Sequence, residues 1–204
     1  MANLACTYSS QGKWNDAEQL EVQVFDMSKK QFGVEHPDTL RIMANLAGTY
    51  AEKGNLKEAE HLEIQVLDMR KKLFGAEHPD TLLSMGNLAR TYADKGNLKD
   101  AEQLEVQVLD MRKKLFGAEH PDTLRSMANL ARTYADKGNL KDAEQLEVQV
   151  LDTRKKVLGA EHPHTLLSMG NLAGTYSSQG KLKEAEQLKV QVLEMRKKLF
   201  GAEP

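Results

Sequence analysis

Apolar residues recur along this chain at spacings of three and four, in bands broken by glycine and proline. In residues 37–78 the first band is Leu40, Met43, Leu46, Ala47 and Tyr50, and the second is Ala59, Leu62, Val66, Met69 and Leu73. Each band is one stripe on a helix, so the segment predicts two helices, of about 16 and about 18 residues. Pro37 suits the first helical position, where its missing N–H is unpaired anyway. Asp38 favours the positive end of the helix dipole. Gly54 ends the first helix. Asn55 predicts an N-cap for the second, and Glu58 three residues later completes the pattern of a capping box. Gly75 supplies a left-handed stop.

This pattern repeats. Prolines stand at Pro37, Pro79, Pro121 and Pro163, asparagines at Asn3, Asn45, Asn87, Asn129 and Asn171, and tyrosines at Tyr8, Tyr50, Tyr92, Tyr134 and Tyr176, each step being 42 residues. Segments 79–120 and 121–162 differ at five of 42 positions. A fixed period of this length predicts stacked helix pairs whose apolar faces are covered by their neighbours. Residues 1–204 therefore read as a single repeat array: a partial repeat at 1–36 and full repeats at 37–78, 79–120, 121–162 and 163–204.

Composition narrows the class. The net charge is −2, which disfavours nucleic acid and anionic membrane as partners. No run of about 20 apolar residues is present, so no bilayer span is expected, and the N-terminus has no basic stretch followed by an apolar core, so no signal peptide is expected. Cys6 is the one cysteine, which points to a reducing, cytoplasmic setting.

The pattern L-A-x-T-Y-x-x-x-G-x-x-x-x-A-E, carried by Leu46-Ala47 through Tyr50, Gly54 and Ala59-Glu60, resembles the tetratricopeptide repeat. The period exceeds that family's usual 34 by roughly one turn per helix. That length, with the L-F-G-A-E-H-P-D-T-L junction, resembles the kinesin-light-chain-like subclass, and most of all the nearly identical arrays of fungal NLR-like (NB-ARC or NACHT) receptors. The resemblance implies an all-α fold, an α-solenoid of tandem antiparallel helix pairs forming a right-handed superhelix, with first helices on the concave face. It implies a scaffold that binds a peptide or protein segment there, as in the ligand-binding arm of a larger receptor. No phosphate-binding G-x-x-x-x-G-K-[ST] or G-x-G-x-x-G motif is present, so a receptor's switch domain would lie elsewhere. Where many such repeats place an aromatic in the second helix, this chain has Glu21, Glu63, Glu105, Glu147 and Lys189, which must be solvated or paired.

The candidate groove is the non-core stripe of the first helices: Arg41, Asn45 and Gly48 in one repeat, Asn87 and Arg90 in the next, then Arg125, Asn129 and Arg132, then Asn171. Divergence between copies concentrates on this stripe. The column of Gly48 reads Cys6, Gly48, Arg90, Arg132 and Gly174, whereas Lys71-Lys72 and its counterparts are unchanged in the full repeats. An amide both donates and accepts, so the asparagine ladder can clamp the backbone of an extended peptide without reading its sequence. It can equally tie neighbouring helices together. The arginines suit carboxylates, but Asp94 and Asp136 stand four residues after Arg90 and Arg132 and can pair with them instead. His36, His78, His120 and His162 recur beside the prolines, a whole repeat apart, as capping or exposed residues rather than metal ligands. Trp14 takes the place of Leu56 and its counterparts in packing. No catalytic constellation, metal site or cofactor is expected. The rival reading is a structural array that stacks end to end. On it the stripe Leu188, Val192, Met195 and Leu199 is exposed and draws chains head to tail.

Overall fold

The computed structural model describes residues 2–201, and the side chains of Ala2, Asn3, Cys6 and Phe200 lie outside what it describes. The expectations placed on the side chains of Asn3 and Cys6 therefore fall outside what is described. Ten helices follow one another, with no strand among the described residues: α1 (Ala2–Ser10), α2 (Trp14–Phe32), α3 (Pro37–Glu52), α4 (Leu56–Phe74), α5 (Pro79–Asp94), α6 (Leu98–Phe116), α7 (Pro121–Asp136), α8 (Leu140–Leu158), α9 (Pro163–Ser178) and α10 (Leu182–Phe200). They group into two compact units, residues 1–104 and 105–204. No described helix is long and apolar enough to cross a membrane.

First helices begin as the proline pattern predicts. His36, His78, His120 and His162 are the N-caps, each followed by proline at N1. Nδ1 of each ring accepts from the N–H two residues on, at 3.2, 3.1, 3.2 and 3.1 Å. The first three rings stack on Phe32, Phe74 and Phe116. These histidines are caps.

The turn inside each repeat departs from expectation. Asn55 is the N-cap of α4, but its side chain makes no capping hydrogen bond. Its φ and ψ of −79° and 60° lie outside the extended region that aims a capping oxygen at the helix. The reason is that its own N–H closes the preceding helix, donating to the Tyr50 carbonyl at 2.9 Å, with Gly54 at φ 81° making the reversal. One residue ends α3 and starts α4, and the first task sets its backbone.

The alanines of the repeat pattern are fully buried where the two helices of a pair meet: Ala47 and Ala59, Ala89 and Ala101, Ala131 and Ala143 all show 0% exposure. The core is built across repeats. In residues 105–204, Leu109 of α6 joins Leu124, Met127 and Leu130 of α7 and Val150 of α8. Leu151 of α8 likewise joins Leu166, Met169 and Leu172 of α9, with Leu188, Val192 and Met195 of α10 packed against them. This corrects the expectation for α10. Leu188, Val192 and Met195 cover their own repeat, and of that stripe only Leu199 is exposed. Its other exposed apolar residues are Leu182, Val190 and Leu193. Second helices carry two apolar stripes, one for each neighbour. Leu151 is 4% exposed and its counterpart Leu193 is 53% exposed.

Candidate functional site

In residues 105–204 the outward stripe of two first helices encloses a cavity of about 640 Å³. Arg125, Asn129 and Arg132 reach it from α7, and Asn171 and Gly174 from α9. Glu147 and Arg154 of α8 also line it, with Val157, Leu158 and Leu167 as an apolar wall. Four of the expected residues, Arg125, Asn129, Arg132 and Asn171, thus meet in one place. Arg41, Asn45 and Gly48 on α3 and Asn87 and Arg90 on α5 hold the same stripe in residues 1–104. Glu147 and Arg154 were not expected in the site, although glutamate recurring inside an apolar stripe was the signal for the first.

The asparagines are half-buried at Asn45, Asn87 and Asn129 and exposed at Asn171. No side-chain hydrogen bond of any of the four appears among the described residues, so these amides do not tie helices together. The arginines are more engaged. Arg41 donates to Asp38 at 3.4 Å, and Arg125 pairs with Asp122 at 2.9 Å. Arg90 reaches Glu52 on α3 at 3.4 Å, not Asp94 four residues ahead. Exposed pairs of this kind contribute about 0–1 kcal/mol each, so a ligand can displace them.

Beneath the stripe, the junctions between repeats are polar and buried. Arg70, Arg112 and Arg154 each reach into the following first helix. Their Nη1 atoms donate to the carbonyls of Asp80, Asp122 and His164 at 3.0, 3.2 and 3.1 Å. The same atoms donate to the hydroxyls of Ser84, Ser126 and Ser168 at 2.9, 2.8 and 2.8 Å. Burial lowers the pKa of all three guanidiniums. Glu21, Glu63, Glu105 and Glu147 are buried as well, which settles the question left by the missing aromatic: they are not solvated. Glu21, Glu63 and Glu147 face the hydroxyls of Thr49, Thr91 and Thr175. Burial is the main force on these carboxyls and raises their pKa, that of Glu63 to about 7. Lys189 breaks the series and is exposed, 3.4 Å from the Ser177 hydroxyl. Among the described residues, no three potential metal ligands come together.

Comparison with known proteins places these features. The family profile described as tetratricopeptide repeat matches residues 1–38, 39–80, 81–122 and 123–164, and a second of the same description matches 148–198. No curated protein sequence matches the chain. Among solved structures, the nearly identical TPR-like repeats assigned to a kinesin light chain of Podosopora anserina are 35% identical, with a TM-score of 0.82 over 98% of this chain and 94% of that one. A point variant of the same repeats gives a TM-score of 0.84 over 97% and 93%, again at 35% identity. BtubC (BKLC) from P. vanneervenii shares the fold at 19% identity, with a TM-score of 0.80 over 98% of this chain and 80% of that one.

Proposed function

The chain belongs to the tetratricopeptide repeat family, whose folds generally serve as protein-interaction scaffolds, and from that premise we propose that it binds an extended peptide or protein segment along the first-helix stripe. The observation that carries this reading is the state of the amides. Asn45, Asn87, Asn129 and Asn171 have donors and acceptors unused by the protein, and two of them line a cavity of about 640 Å³. A peptide backbone presents one N–H and one C=O per residue, which an amide matches on both sides. Arg90 and Arg132 add contacts to acidic groups of the segment once Arg90 releases the exposed Glu52. The reading treats 1–204 as one array and, from the resemblance of its junction sequence, as the ligand-binding arm of a larger cytoplasmic receptor. No catalytic step belongs to it.

The test begins with a displayed peptide library selected on the unaltered chain. Asn87→Ala with Asn129→Ala is expected to leave the melting temperature within about 2 °C, since no hydrogen bond of the fold is lost, and to weaken the selected peptide at least tenfold. A sharp fall in melting temperature would make the amides structural. Unchanged binding would move the clamp elsewhere. Arg90→Ala with Arg132→Ala is expected to weaken binding of an acidic peptide and to flatten its salt dependence. Retention of the full salt effect would place charge recognition on other residues.

A further inference from the structure

The junctions between repeats are not equal. Glu21, Glu63 and Glu147 each face a threonine on the following first helix, and the residue just before the threonine of that column is glycine or arginine. It is Gly48 before Thr49, Arg90 before Thr91, Arg132 before Thr133 and Gly174 before Thr175. At the Glu63 junction Arg90, which pairs with Glu52, brings a positive charge near the buried carboxyl that favours its ionised form. At the Glu147 junction that cation is missing. The groups acting on Glu147 are the Thr175 hydroxyl and the like charge of Glu144.

What replaces the arginine is space. A Cβ built on Gly174 meets no atom within 4 Å, and Gly174 and Glu147 both line the cavity. Glu147 is 6% exposed, and its Oε2 is buried with no hydrogen-bond partner. A buried carboxylate oxygen without a donor is costly, by more than an unmade neutral hydrogen bond. Two other cations of the cavity are already engaged: Arg125 on Asp122, and Arg154 on the His164 carbonyl and the Ser168 hydroxyl. Arg132 belongs by register to the preceding junction, one residue before Thr133.

We propose that the cavity over Gly174 is a cation subsite, in which the guanidinium or ammonium of an arginine or lysine side chain of the bound segment enters the space left where the preceding repeats carry Arg90 and Arg132, and pairs with Glu147. The inference rests on the groove reading above and names the chemistry of its ligand. The stem of such a side chain lies along Leu167 and Val157, and the Asn171 amide oxygen is a further acceptor at the rim. The groove then selects a segment of mixed charge, with an acidic group toward Arg132 and a basic one over Gly174. The pair Glu21 and Gly48 repeats the same composition, with one oxygen of Glu21 also buried without a donor and open space at Gly48.

The probe is N-acetyl-arginine amide, with its citrulline counterpart as the uncharged isostere, titrated into the full chain by NMR. The arginine probe is expected to shift the backbone amide signals of Gly174 and Thr175 to saturation at millimolar concentration, and the citrulline probe to leave them in place. Glu147→Gln is expected to weaken the arginine probe at least tenfold, and Gly174→Arg to abolish it by supplying the guanidinium from within. A second arm needs no ligand. Gly174→Arg is expected to raise the melting temperature several degrees above Gly174→Gln, and that difference is expected to vanish in the Glu147→Gln background. Equal shifts from citrulline, an unchanged affinity in Glu147→Gln, or a Gly174→Arg gain that persists in that background each overturn the subsite. If the arginine probe fails while Asn87→Ala with Asn129→Ala still loses its selected peptide, the subsite falls and the groove stands. If the probe behaves as expected while those asparagine variants bind normally, the amide clamp falls and the cation subsite stands.

Discussion

Glu63→Gln is expected to make the chain more stable above pH 7 and to change it little near pH 4. Both carboxyl oxygens of Glu63 are buried without a hydrogen-bond partner of normal geometry, and the Thr91 hydroxyl opposite is unpaired too. Burial pushes the pKa up from 4.5 to about 7, although Thr91 and Arg90 pull it down, while Glu60 and Asp94 add to the rise. The folded chain therefore holds a proton that the unfolded chain releases near pH 4.5. Between these values the folded state binds more protons, so stability falls as pH rises. The contribution is fully present below pH 4.5 and is lost as pH passes through about 7. One pKa unit corresponds to about 1.4 kcal/mol, so the loss by pH 8 is on the order of 3 kcal/mol. Glutamine keeps the shape and the neutral state at every pH. Urea melts at pH 4.5 and pH 8 measure the effect, with Glu21 and Glu147, also raised, retaining part of the original slope. Equal pH slopes in the two proteins would show that Glu63 is ionised in the fold.

Arg112→Ser is expected to cost about 2–4 kcal/mol, and adding Ser126→Ile to regain about half of it. Arg112 is 6% exposed and spans the junction between α6 and α7, donating to the Asp122 carbonyl and the Ser126 hydroxyl. Hydrogen bonds from a charged donor contribute about 1.5–3 kcal/mol, and the packed stem of the side chain adds to that. The recovery follows from the chain's own first junction. There Ser28 stands where the others have arginine, and Ile42 where they have serine. Both are buried, and the Ser28 hydroxyl meets that of Thr39 at 2.7 Å. Arginine with serine and serine with isoleucine are thus two solutions of one junction. A double-mutant cycle by denaturant melts decides the point. Additive losses would mean that the two positions do not fill the same space.

These two results concern residues that a linear reading handles badly. The helix pairs, their lengths and their starts were legible because the causes are local. Proline at N1, glycine at positive φ and apolar residues at spacings of three and four act within a few residues. The outward stripe of the first helices was legible for a related reason: near-identical copies expose the positions at which they differ. Asn55 could not be read in the same way, since two helices compete for one backbone conformation. The stripe on α10 was found, but spacing cannot say which of two neighbours it covers. Glu147 and Arg154 line a cavity whose other walls lie on α7 and α9. Arg90 finds its carboxylate 38 residues back in the chain, on α3, not four residues ahead. The sequence alone therefore settles which residues share a helix face, because that follows from backbone geometry. Whether a charge on that face is solvated, paired or buried depends on what the next repeat brings against it, since desolvation and pairing are properties of the assembled junction.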